Sequence, residues 1–173
     1  MLRMVCFCAE ISPIPTRTRV VILRHVLEGR RGSNTARLVT LALPNASMQT
    51  FGAPGAELEG LPVDSAVVLF PDGRPTGPPD PPPATLVVVD GSWAQARRMR
   101  QRIPGVRDLP TWSLPPPDVT RPRLRHPFRD GMVSTVEAIA QALRLLEGEA
   151  PAAALEDVYD RFLAAQVRSG RRL

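Results

Sequence analysis

The chain has 173 residues, a net charge of +5 at neutral pH and a calculated pI near 10.8, and all of its Lys/Arg positions are arginine. That length suits one domain with a sizeable core. No apolar run is long enough for a membrane span and the N-terminus lacks the apolar stretch of a signal peptide, so a cytoplasmic protein is expected. Arginine stays ionised, forks onto phosphate and stacks on bases, which makes RNA a compatible partner. The same bias also follows from a GC-rich genome, so charge alone leaves the partner open.

In chain order, residues 1–18 carry Ser12-Pro13 and Ile14-Pro15 and read as an irregular arm. Within it, Cys6 and Cys8 form a C-x-C pair, which is half of the four ligands that a tetrahedral zinc site needs. Arg19 to His25 is a β-branched run and predicts a buried strand. A glycine-flexed basic loop follows through Arg30 and Arg31, and Ser33 or Asn34 is placed to cap a helix running to about Leu43. Ser65 to Phe70 is a second buried strand, stopped by Pro71-Asp72-Gly73. The proline-rich stretch to Pro83 is a surface loop. Leu86 to Val89 is a third buried strand. It ends in Asp90, turns through Gly91-Ser92-Trp93, and starts an arginine-rich helix over residues 94–102.

After that helix, residues 111–114 predict a short strand between prolines, and residues 121–127 (Arg121 to Pro127, with His126) a basic loop or extended segment. A long helix is expected from Ser134, with Val136, Ile139, Ala140, Leu143 and Leu146 at helical spacing. A last helix runs from Pro151 to about Arg168. Near-continuous apolar strands alternating with helices predict an α/β fold: a mostly parallel sheet with helices on both faces.

Asp90 lies where strand ends and helix starts converge, the usual place for ligands in such folds. A turn cap would also explain an aspartate there, and Trp93 suits either a core position or a ligand wall. Ser134-x-x-Glu137 matches a capping box, a structural role that still leaves backbone donors at the helix start. Arg30, Arg31 and Arg37 surround the helix start at Ser33-Asn34-Thr35 and are candidate phosphate grips. Arg97 and Arg100 share a helix face with Trp93. No Walker-type loop, G-x-G-x-x-G, H-E-x-x-H or Ser–His–Asp order is present, which excludes those nucleotide and hydrolase chemistries.

Asp90-Gly91-Ser92-Trp93-x-Gln95-Ala96 after an apolar strand resembles the signature of the DTW-domain proteins. The resemblance continues through Cys6-x-Cys8, residues 15–19 (Pro-Thr-Arg-Thr-Arg), His25-x-x-Glu28, Ser33-Asn34-Thr35-x-Arg37-Leu38, Leu69-Phe70-Pro71 and Ser134-Thr135-x-Glu137-Ala138. It covers nearly the whole chain, as one domain over 1–173.

It implies a tRNA-uridine aminocarboxypropyltransferase, which moves the 3-amino-3-carboxypropyl group of S-adenosyl-L-methionine to uridine N3 and leaves methylthioadenosine. It also implies a SPOUT-like, trefoil-knotted chain. On this reading Asp90 and Trp93 are catalytic. Phe70, Pro71, Asp90, Ser92, Trp93, Ser134, Thr135 and Glu137 bind the cofactor, and Arg30, Arg31, Ser33, Asn34, Thr35, Arg37, Arg97 and Arg100 contact tRNA. Many family members carry a second cysteine pair upstream of the C-x-C that completes a zinc site; Cys6 and Cys8 supply only half of such a site, and no metal is expected. No membrane and no obligate protein partner is expected. Two rivals remain: a SPOUT-like methyltransferase using the same cofactor, and a non-catalytic RNA-binding module.

Overall fold

In a computed structural model, the described residues are 7–30, 34–53, 55, 58, 60–61, 64–71, 76–116 and 133–170. Five strands form one sheet: β1 (Arg19–His25), β2 (Ala46–Phe51), β3 (Ala66–Leu69), β4 (Thr85–Asp90) and β5 (Thr111–Trp112). Every pairing is parallel and the order is β2-β1-β4-β3-β5. The helices are α1 (Ala36–Ala42), α2 (Trp93–Arg102), α3 (Thr135–Glu147) and α4 (Glu149–Arg168). The expected α/β architecture with helices on both faces is the one found.

Strand side chains alternate between faces, so the apolar runs feed two cores. Val20, Ile22, Leu86, Val88, Val67 and Leu69 pack against α1, α3 and α4. Their neighbours Val21, Leu23, Val87 and Val68 pack against α2 and the turn after it, through Ala96, Met99, Ile103 and Val106. Among the described residues, one face thus carries three helices and the other carries one.

The α3–α4 corner turns on Gly148 at φ +99°, a conformation that costs a glycine little. Arg144 staples that corner, donating to Glu149 at 2.7 and 3.1 Å and to Glu156 at 2.9 and 3.2 Å. Pro151 sits in the first turn of α4, where its missing N–H would have had no partner inside the helix.

Residues 16–18, at the end of the N-terminal arm, are tied down rather than loose. Glu147 accepts from the backbone N–H groups of Arg17 (2.9 Å) and Thr18 (2.8 Å), and Asn45 donates to the carbonyls of Thr16 and Thr18.

One strand is unforeseen and two local expectations differ. Strand β2 carries no apolar run because it is an edge strand, half-buried at each of its residues. The capping position of α1 is Thr35, with no side-chain cap bond, rather than Ser33 or Asn34. Strand β5 is two residues long, not four.

Candidate active site

The chain leaves β1 for α1 on one side of the sheet and leaves β4 for α2 on the other. Strand order therefore reverses between these neighbours, and open α/β sheets form a crevice at such a point beyond their carboxyl ends. Asp90 closes β4 at this position, and register places it opposite Arg24 of β1. The residue is buried, only 7% exposed. Asn34 Nδ2 donates to Oδ2 at 2.7 Å and Thr135 Oγ1 donates to Oδ1 at 2.5 Å. One side chain thereby joins the end of β4, the segment ahead of α1 and the first turn of α3. The positive end of the α3 dipole adds to the stabilisation of the anion.

No salt bridge reaches Asp90 among the described residues. The guanidinium of Arg24 is drawn toward β2 instead, where Nη2 donates to Thr50 Oγ1 at 3.1 Å. A buried carboxylate without a counter-charge is costly, so its neutral donors and the helix end leave a place suited to a ligand cation. Asn34 Oδ1 is buried beside it and has no hydrogen-bond partner. That is an acceptor facing the same need.

On the α2 side, Phe70 and Trp93 stack with ring centroids 5.4 Å apart and planes 7° from parallel. Phe70 is buried and follows β3, and Trp93 is half-buried at the start of α2. The turn between Asp90 and Trp93 is tight: a Cβ on Gly91 would stand 3.0 Å from Gln95 Cβ. The Ser92 N–H donates to Gln95 Oε1 at 2.7 Å, fixing the helix start. Pro71 is exposed next to Phe70. The carboxylate of Asp90 and the aromatic pair thus flank the end of β4 from opposite sides.

Ser134 and Glu137 form the expected capping box, with Ser134 N–H to Glu137 Oε2 at 2.8 Å and Glu137 N–H to Ser134 Oγ at 3.4 Å. This box sets the α3 terminus that carries Thr135 to Asp90.

The arginines divide. Arg37 on α1 and Arg97 on α2 are exposed. Arg100 turns inward and donates to the carbonyls of Val106 (2.8 Å) and Leu109 (3.0 Å) and to Thr111 Oγ1 (2.8 Å). Arg100, expected at an RNA phosphate, here has its guanidinium closing the loop from α2 to β5. Asn34 likewise turns inward to Asp90, and Thr35 is buried. Arg31 and Ser33, the side chain of Arg30, and the basic segment with His126 lie outside the described residues.

Cys8 is exposed on a short 3-10 turn, and Cys6 lies outside the described residues. Among the described residues no three His, Cys, Asp or Glu side chains group to hold a metal ion, so no step is derived through zinc. Two open grooves of about 360 and 460 Å³ lie elsewhere, one between the arm and α4, the other among prolines beside Trp112. Neither is lined by Asp90, Phe70 or Trp93.

The inward pairing of Asn34 and Thr135 with Asp90 links positions 56 and 45 residues away in sequence. The only sequence signal for it was the recurrence of all three in one ordered motif set.

The DTW domain matches residues 1–167. The chain is 28% identical over 158 residues to tRNA-uridine aminocarboxypropyltransferase 2 of Drosophila melanogaster, covering 83% of this chain and 62% of that protein. It is 28% identical over 126 residues to tRNA-uridine aminocarboxypropyltransferase A of Arabidopsis thaliana, covering 55% of this chain and 46% of that one. The chain therefore spans less than two thirds of the length of these curated relatives. Its fold is similar to the SAM-dependent rRNA acp-transferase Tsr3 of Vulcanisaeta distributa. The TM-score is 0.58 at 19% identity, over 90% of this chain and 80% of that one.

Proposed function

The chain belongs to the DTW domain family, and from that premise we propose that it transfers the 3-amino-3-carboxypropyl group of S-adenosylmethionine to N3 of a uridine in tRNA. The observation that carries this reading is the buried Asp90 carboxylate, clasped by Asn34 and Thr135 and lacking any cationic partner among the described residues. A sulfonium cofactor supplies the missing positive charge and an electrophilic carbon. The residues present fit it. Asp90 and the unpartnered Asn34 Oδ1 would face its cationic groups, the N-terminal turn of α3 from Ser134 would meet its polar groups, and Phe70, Pro71 and Trp93 would wall its apolar parts.

The reaction balances simply. Uridine N3 loses its proton and forms the N–C bond, the C–S bond breaks, and the sulfonium charge is quenched as methylthioadenosine leaves. Asp90 would orient or accept the N3 proton, although its two oxygens each already accept one hydrogen bond. Positioning of nucleophile and carbon in line would supply much of the acceleration. Trp93 would exclude water from the transferred chain or stack on the base. Arg37 and Arg97 would contact RNA backbone, so affinity would fall with salt.

Incubation of the protein with tRNA and S-adenosylmethionine, followed by nucleoside mass spectrometry, tests this. Aminocarboxypropyl-uridine together with methylthioadenosine supports it. Methylated nucleoside with S-adenosylhomocysteine would replace it with a methyltransferase. Binding of tRNA with no cofactor binding would leave an RNA-binding module.

A further inference from the structure

The net charge of +5 conceals a strong asymmetry across the sheet. From Trp93 to Leu109, on the one-helix side, five arginines face a single acid, Asp108. That acid is already beside Arg107 at 3.3 Å. From Thr135 to Arg168, on the opposite side, there are six acids and three arginines; Glu137 and Glu147 are turned inward, which leaves Glu149, Glu156, Asp157 and Asp160 toward the surface. Arg144 and Arg161 there are occupied by Glu149, Glu156 and Asp157 at 2.7–2.9 Å.

Arg100 is consumed internally, which leaves Arg97, Arg98 and Arg102 on the outer surface of α2. All three are exposed, and none makes an ion pair among the described residues. With Ala94 and Gln101 they cover that face, which holds no acid.

We propose that this outer face of α2 is the track on which RNA phosphates dock, so that RNA reaches the crevice from the one-helix side of the sheet. This rests on the RNA-substrate reading above and adds the direction of approach and the residues Arg98 and Arg102. Unpaired guanidiniums on a rigid helix suit phosphate, because they need not first break an intramolecular ion pair. From Arg97 to Arg102 the cationic face runs roughly 7.5 Å along α2 at 1.5 Å per residue. The N-terminal end of that helix is the Phe70–Trp93 stack. A cationic track that ends at an aromatic pair is the arrangement that binds unpaired nucleotides, with phosphates on the arginines and a base at the rings. On the other side, the acidic surface of α4 would repel the same backbone.

The test is binding of a labelled tRNA transcript, by fluorescence anisotropy across a salt series, to the full chain. The variants are Arg98→Gln/Arg102→Gln and a control with equal charge loss, Arg161→Gln/Arg168→Gln on α4. Glutamine keeps helix propensity at these exposed sites. The α2 double variant should bind more weakly, and its slope of log K against log salt should be shallower by roughly one per arginine removed. The α4 control should keep the wild-type slope. Equal slopes in the two double variants would overturn the inference while leaving the RNA reading intact. Failure of the wild-type protein to bind tRNA would overturn both. Vesicles of phosphatidylcholine with phosphatidylglycerol form the remaining arm. Binding to them lost in the α2 variant, with tRNA binding unchanged, would assign the face to a lipid surface instead.

Discussion

The two sides of the sheet are built to different ends. On the three-helix side, α1, α3 and α4 bury Val39, Ile139, Leu143, Leu155 and Tyr159 against the strands, and the exterior of α3 and α4 is acidic and cross-linked by Arg144. On the other side α2 is the one helix among the described residues, covering the sheet through Ala96, Met99 and Ile103 with Val106 and Leu109 of the turn after it, and its exterior is unpaired arginine. The thick layer carries most of the buried apolar area and hence most of the hydrophobic stabilisation. The thin layer presents the aromatic pair and the cationic face. Asp90 stands between them, held from the thick side by Asn34 and Thr135 and linked by the two-residue turn Gly91-Ser92 to Trp93 on the thin side.

The largest effect expected is on chemistry. Asp90→Asn preserves the shape of the side chain and removes the buried charge, so kcat/KM for tRNA modification should fall by about a thousandfold, within the range typical of positioned acid–base groups. Stability should hold or rise, because an isolated buried carboxylate costs folding energy. Single-turnover assays paired with thermal unfolding read the two separately. Wild-type turnover in Asp90→Asn, or a fall in Tm with no loss of turnover, would make the carboxylate a structural link between the layers and nothing more.

Next is the contrast in packing. Leu143 and Met99 are both fully buried, one in each layer. Leu143→Ala should destabilise by about 4 kcal/mol, because three helices and a sheet cannot all close on the cavity. Met99→Ala should cost about 2 kcal/mol, because a single helix can settle toward the strands. Denaturant melts of both variants measure this. Equal losses would mean that α2 is as firmly keyed to the sheet as the opposite layer is.

A smaller effect is expected at the clasp. Asn34→Ala removes the donor to Asp90 Oδ2 and should lower kcat about tenfold, with the KM for tRNA little changed. If Asn34 instead touched RNA backbone, the KM for tRNA and the salt dependence would move and kcat would not. Asn34→Asp places a second acid against Asp90 and should not rescue activity, whereas Asn34→Gln, which retains the amide, should recover part of it.

Much of this division was legible in the chain itself, and the reasons differ by element. Strands β1, β3 and β4 announce themselves because a strand buried on both faces must be apolar at every position, as Val20 to Leu23 and Leu86 to Val88 are. The α3 start was readable because Ser134 and Glu137 carry its capping chemistry in their own side chains. Edge strand β2 was hidden because Ala46-Ser47-Met48-Gln49-Thr50-Phe51 gains its place from pairing with β1 rather than from burial. At the site, the ordered motifs pointed to Asp90 and Trp93 but not to how they are held. Asn34 read as a cap or a phosphate contact, and only the fold brings it 2.7 Å from Asp90. Arg100 read as a ligand for phosphate because helical spacing places it near Trp93. Spacing carries no information on the loop at residues 106–111 that wraps back over its guanidinium.

The smallest effect belongs to the exterior of the thick layer, at the Arg144 staple. The hydrogen bond from Arg144 holds the carboxyl of Glu149 below its ordinary range, and Glu149 and Glu156 together hold the guanidinium still more firmly protonated. Because the folded-state value of Glu149 is depressed, its contribution is present in full above the ordinary carboxylate range. It is lost as pH falls through the depressed value. Glu149 is exposed, so solvent screens the pair and the contribution is slight. Glu149→Gln should therefore melt a little below wild type at neutral pH, with the two curves converging in acid and the gap narrowing in high salt. A gap that persisted unchanged in acid would show that the α3–α4 corner is held by the Gly148 turn and the packing beneath it, with the ion pairs contributing nothing. In that case the acidic surface opposite α2 would matter only for the sign of its charge.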